Sequence, residues 1–149
     1  MTTILRSTDI LHLLTGRTPL NMNRLISHYL KNAGIPLTKE QWSVMAILWE
    51  TDGCSQQELA DATYRDRPGI TRLLDNLQKE GLIERRAHET DRRTNRIFLT
   101  PAGAKLEQPV KDALNKAVET ATQSISTDQL ENLRLTFNQI NENIQSIEL

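Results

Sequence analysis

Apolar residues in this chain recur with two different periods, and the changes of period mark its elements. Ile4, Leu5, Leu11, Leu14, Leu25, Ile26, Tyr29, Leu30 and Ala33 stand at roughly helical spacing, interrupted by Gly16 and Pro19. The pattern predicts a short helix or turn, then a longer helix from about Leu20 that Gly34 and Pro36 end. Thr38-Lys39-Glu40-Gln41 reads as a capping box, in which a hydroxyl and a side-chain amide each satisfy one free backbone amide. Trp42, Met45, Ile47, Leu48 and Trp49 surround most of the helix that follows, which places it inside the fold. Asp52 and Gly53 stop it. Ser55-Gln56-Gln57-Glu58 is a second box and opens a short helix carrying Leu59, Ala60 and Ala62. After the turn Thr63-Tyr64-Arg65, Asp66 caps a further helix with Pro68 in its first turn, where a missing N–H does no harm. Ile70, Leu73, Leu74 and Leu77 form its buried stripe, and Gly81 ends it.

The period then shortens. Leu82–Arg86 and Arg96–Leu99 read as two strands of a hairpin whose tip, 87–95, has no large apolar residue. Thr100-Pro101 opens a helix through Leu106, Val110, Ala113, Leu114, Ala117, Val118, Ala121 and Ile125, which Pro109 is expected to kink. Ser126 or Thr127 caps a last helix. Its apolar positions Leu130, Leu133, Phe137, Ile140, Ile144 and Ile147 alternate steps of three and four, the seam of a coiled coil.

Composition narrows the class. The 149 residues are 38% apolar and 25% charged, enough for a core and too apolar for a disordered chain. The longest apolar run, Val44–Trp49, is six residues, too short to span a bilayer. Asp9 interrupts the N-terminal apolar stretch, which makes a poor signal peptide. With one cysteine, Cys54, no intrachain disulfide can form, and a reducing, cytoplasmic compartment is expected. The net charge of −1 hides a segregation. Residues 38–64 hold one base against five acids, whereas residues 65–96 hold nine bases against six acids, a local sum of +3.

No nucleophile elbow, phosphate-binding glycine loop, dinucleotide fingerprint or zinc-protease motif is present, so no enzyme, metal or cofactor is expected. His12, His28 and His88 are far apart, and Cys54 has no adjacent base to activate it. The order helix, turn, helix, hairpin between Ser55 and Thr100 predicts a winged helix-turn-helix. Arg67, Gly69, Thr71, Arg72 and Asn76 lie off the apolar stripe of the second helix and suit a major groove, with Gly69 allowing close approach of a backbone. Ser55 and Gln56 at the start of the first helix and Arg65 in the turn join them as DNA-facing candidates. Arg92, Arg93 and Arg96 on the hairpin suit phosphates or a narrow minor groove. The alternative is a winged-helix module that binds protein and never touches DNA.

Several motifs in order strengthen the first reading. They are Leu37-Thr38-x-x-Gln41-x-x-Val44, Gln57-x-Leu59-Ala60, Ile70-Thr71-Arg72-Leu73-Leu74-Asp75-x-Leu77, Lys79-x-Gly81-Leu82-Ile83-x-Arg85, Asp91-Arg92-Arg93 and Leu99-Thr100-x-x-Gly103. The series resembles the MarR family of bacterial transcription regulators. The resemblance implies a mainly α fold with a small β-hairpin wing. It implies an N-terminal helical part at 1–36, a DNA-binding domain at 37–100, and C-terminal helices at 101–149 that form the dimerisation region with the N-terminal part. It further implies a homodimer on a pseudo-palindromic double-stranded operator, most often as a repressor. Many members release DNA when a small aromatic or anionic effector enters a crevice. Thr71 and Arg72 would lie on the recognition helix, Arg93 at the wing tip, and Asp91 would brace the wing. Peroxide-sensing relatives use a cysteine in the first helix, which this chain lacks.

Overall fold

The computed structural model describes residues 7–87, 90 and 95–148. The expectations placed on Ile4, Leu5, His88, Asp91, Arg92 and Arg93 lie outside the described residues. The order of elements is α1 (Ser7–Thr15), α2 (Arg17–Asn32), α3 (Lys39–Glu50), β1 (Cys54–Ser55), α4 (Gln56–Ala62), α5 (Arg67–Lys79), β2 (Ile83–Ala87), β3 (Asn95–Leu99), α6 (Pro101–Lys105), α7 (Glu107–Ala121) and α8 (Thr127–Gln145). This is a mainly helical chain with a winged helix-turn-helix at α4, α5, β2 and β3. It divides into compact units at residues 1–117 and 118–149. Among the described residues no helix is long and apolar enough to cross a membrane.

The longer N-terminal helix begins at Arg17, three residues before the expected start. Pro19 sits in its first turn, where backbone amides have no helical partner, so it does not interrupt the helix. Gly16 alone makes the break. Its amide bonds to the His12 carbonyl at 2.9 Å, and a Cβ there would stand 2.4 Å from that oxygen.

Both expected capping boxes form, with Thr38 opening α3 and Ser55 opening α4. Val44, Met45 and Leu48 of α3 are fully buried, whereas Trp42, Ile47 and Trp49 are half-buried, so this helix faces the core on one side only. Asp66 caps α5 through Gly69 N, and all four residues of the α5 stripe are buried. The sheet has three strands in the order β1-β3-β2, all antiparallel. The sequence pattern gives no sign of β1, because two residues are too few to show an alternation. Cys54 pairs with Ile97 and Ser55 with Arg96.

The expected single kinked helix after Pro101 is two helices that meet at Leu106. Pro109 has no amide for the Lys105 carbonyl, and its ring would press on that oxygen, so the break falls upstream of the proline. The α6 helix is clamped to the wing. Thr100 N donates to Leu82 O at 3.1 Å, Thr100 Oγ1 to Gly81 O at 2.6 Å, and Trp49 Nε1 to Gly103 O at 3.0 Å. A Cβ on Gly103 would lie 2.0 Å from Leu82 O and 3.3 Å from Met45 Cε.

In the second unit Ser126, not Thr127, is the N-cap of α8, and it forms a third capping box with Gln129. No residue of α8 is buried within the chain. Leu130 and Ile140 are half-buried, and Leu133, Phe137 and Ile144 are exposed. Ile147, read as the last seam position, lies beyond the helix, which ends at Gln145.

The Gly103 junction yields a stability prediction. Gly103→Ala must push α6 away from Leu82, an overpacking change expected to destabilise by about 1–3 kcal/mol. Urea unfolding midpoints of Gly103→Ala and wild type measure it, and equal midpoints would show that the junction yields freely.

Candidate nucleic-acid interface

The stripe of α5 fixes which of its residues face outward. With Ile70, Leu73, Leu74 and Leu77 turned into the core, Arg67, Thr71, Arg72 and Asn76 remain on the outer surface. The guanidinium groups of Arg67 and Arg72 make no hydrogen bond or ion pair with any described residue. Thr71 Oγ1 donates to Arg67 O at 2.8 Å and accepts from Gln56 Nε2 at 2.6 Å, so the first residue of α4 touches the middle of α5. Two shallow hollows flank α5. One, about 330 Å³, is lined by Ser55, Gln56, Arg67 and Asn95 among others. The other, about 280 Å³, is lined by Thr38, Glu40, Arg65, Gly69, Arg72 and Asn76 among others. The DNA-facing candidates of the helix pair thus gather on and beside the exposed face of one helix.

Three candidates have local duties that were not foreseen. Gly69 makes room for its own cap: the Asp66 carboxylate accepts from Gly69 N at 2.8 Å, and a Cβ would lie 2.7 Å from Asp66 Oδ1. Arg96 turns inward, donating from Nη1 to Gly53 O at 2.7 Å, so this guanidinium holds the β1 turn rather than reaching outward. Arg65 lies 3.9 Å from Glu40, a loose and partly exposed pair.

Other contributors escaped the sequence reading. Arg85 of β2 pairs with Asp75 of α5 at 2.8 Å and donates to Gln78, which ties the wing to the exposed helix. Gln41, whose amide oxygen closes the first capping box, donates from Nε2 to Glu80 at 3.2 Å and joins the start of α3 to the end of α5. Arg86 stacks 4.2 Å over the Phe98 ring and pairs with Glu84. Alternation along β2 gives the only sequence signal, since it puts Arg85 on the same face as Ile83.

Comparison with known proteins agrees with this geometry. Residues 37–94 match the model of the MarR family. A MarR-family transcriptional regulator from Rhodococcus sp. RHA1 superposes with a TM-score of 0.79 at 25% identity, over 93% of this chain and 96% of that one. A MarR transcriptional regulator from Methanosarcina mazei Go1 gives 0.77 at 26% identity, over 87% and 92%. The transcriptional repressor CouR, bound to a 23-mer DNA duplex, gives 0.80 at 24% identity, over 93% and 99%.

The electrostatics beside α4 separate two groups. Burial pushes the Cys54 thiol up, and Glu58 and Asp52 add to this against Arg96. Its Sγ also contacts Thr51 O at 2.9 Å, so this is a protonated, packed thiol rather than a reactive one. Glu58 is held below the ordinary value of 4.5, chiefly because its carboxylate accepts from Ser55 N. A depressed carboxylate contributes stability that is complete above its unfolded pKa and is lost as pH falls through the folded one. The advantage of wild type over Glu58→Gln should therefore be present at neutral pH and shrink below about pH 4.5. Urea midpoints of the two proteins across that range provide the check, and a gap that stays constant would contradict the assignment.

Proposed function

We propose that this chain, whose residues 37–94 match the model of the MarR family, works as a cytoplasmic transcriptional repressor, a homodimer that binds a pseudo-palindromic operator. The observation that carries this reading is the outer face of α5. It is a helix locked by its buried stripe that presents Arg67 and Arg72 with no described partner. Such a helix fits a major groove, where arginine reads guanine edges and threonine meets thymine methyls. In this reading Ser55, Gln56 and Arg65 flank the groove, Asn76 reaches its edge, and Arg92 and Arg93 follow the backbone at the wing with Asp91 as their brace. Arg96 supports the wing from within. The DNA-bound repressor among the similar structures supports the same role, with gene silencing by occupation of the operator. The chain acts by binding, with no catalytic step.

We also assign labour along the chain. Residues 37–100 bind DNA, and residues 1–36 and 101–149 join the subunits. Supporting this, Leu133, Phe137 and Ile144 leave a broken apolar line on α8 uncovered. Burying a side chain of this size contributes ~1.5–3 kcal/mol, so several such residues suffice to hold two chains together. An effector is part of the reading. The hollow of about 450 Å³ between α2 and α7, lined by Tyr29, Asn32, Pro109, Asp112 and Lys116 among others, offers aromatic and charged walls for a small aromatic or anionic molecule.

Two experiments test these assignments. Purified protein selects fragments from a random duplex library, and recovered duplexes are then titrated at several salt concentrations. Arg72→Ala should lose about 1–3 kcal/mol on the selected duplex and relax its sequence preference. Arg93→Ala should weaken selected and random duplexes alike and flatten the salt slope by about 1. Recovery of no preferred sequence would favour the protein-binding alternative. Ile140→Asp should convert the sedimenting dimer to monomer or unfolded chain, and a folded wild-type monomer at micromolar concentration would refute the dimer.

A further inference from the structure

Thr71 stands half-buried on the outward side of α5 with its hydroxyl already committed. A hydroxyl has one proton to donate. Thr71 gives it to Arg67 O, one turn back along the same helix, at 2.8 Å. Helical threonines favour this i−4 bond. With that proton spent, the 2.6 Å contact to Gln56 must run the other way, the Gln56 amide donating and Thr71 Oγ1 accepting. The oxygen is therefore held on two sides by protein, and the β-branched side chain is locked at χ1. What remains for an incoming surface is the methyl group, beside one lone pair of an oxygen that can no longer donate.

We propose that Thr71 selects thymine through this methyl, with Arg67 O and Gln56 keeping the hydroxyl from donating to a base. The inference rests on the DNA-binding reading above and adds the base that this position recognises. A free threonine hydroxyl would accept from adenine or cytosine amines, or donate to guanine or thymine oxygens, and so would discriminate poorly. A bare methyl meets its match in one base only, since thymine alone carries a 5-methyl group in the major groove. Gln56 occupies one lone pair of the hydroxyl and fixes its direction, and so acts through Thr71.

The test uses the full-length protein and a duplex recovered from a random library. Each thymine of that duplex is replaced in turn by deoxyuridine, which removes the methyl and leaves every hydrogen-bonding group in place. Wild type should lose about fourfold in affinity for one thymine in each half-site, the worth of one buried methyl. Thr71→Ser keeps both hydroxyl bonds and lacks the methyl, so it should bind the thymine and deoxyuridine duplexes equally. Its melting curve confirms that it folds. Indifference of wild type to every replacement, or a Thr71→Ser protein that keeps the wild-type ratio, would overturn the proposal while leaving DNA binding intact. A protein that enriches no sequence at all would overturn the DNA-binding reading and this inference together.

Discussion

The rotation of α5 about its own axis is the constraint on which the rest depends. It is set by burial of Ile70, Leu73, Leu74 and Leu77 against the core formed with Leu48, Leu59, Ile83 and Ile97. Each contributes up to about 1.5–3 kcal/mol, and one residue of slippage would leave a single leucine of the stripe in the core. No single polar contact in the wing competes with that. The outer face is thus a consequence of the inner one. Arg67, Thr71 and Arg72 are outside because the leucines are inside, and they stand on a rigid support as a recognition surface requires.

Polar links then extend this rigidity outward. Asp75 and Gln78 take hold of Arg85, so β2 cannot move without α5. Asp52 Oδ1 accepts from both Gly53 N at 3.0 Å and Leu99 N at 2.9 Å, tying the end of α3 to the far end of β3. Phe98 packs against Gly53, where a Cβ would lie 2.9 Å from its ring, and Arg86 stacks over that ring. Arg86 and Arg96 face each other across the two strands, an unfavourable register for like charges. Each is drawn off by a different partner, Arg86 by Phe98 and Glu84, Arg96 by the Gly53 carbonyl. The wing base is thereby a set of paired groups.

What could be read from the sequence was what is local. The boxes at Thr38 and Ser55 span four residues, the α5 stripe spans eight, and both stand as expected. What could not be read has partners far along the chain. Arg96 meets a carbonyl 43 residues away, and Gln41 meets Glu80 39 residues away. Neither residue type says by itself which contact it will make. Strand β1 escaped because it is defined by its partner Ile97 and not by any pattern of its own. Pro109 was recognised as a disturbance and misplaced, because a proline acts on the carbonyl four residues before it. The outward set on α5 was legible; the commitments of Thr71, Gly69 and Arg96 were not, since these depend on hydrogen-bond direction.

This has a consequence for counting charge. The local excess of +3 over residues 65–96 treats every arginine as free. Arg85, Arg86 and Arg96 are already engaged by carboxylates, a ring or a carbonyl, and Arg65 sits near Glu40. With the chain as a whole at −1, its long-range field offers little pull on a polyanion. Counterion release by a few arginines supports only modest sequence-independent affinity. In the proposed DNA-binding role, discrimination falls to short-range fit at the exposed face of α5. In that role, weak attraction to DNA in general and strong dependence on matched base edges follow from the same pairing that holds the wing in place.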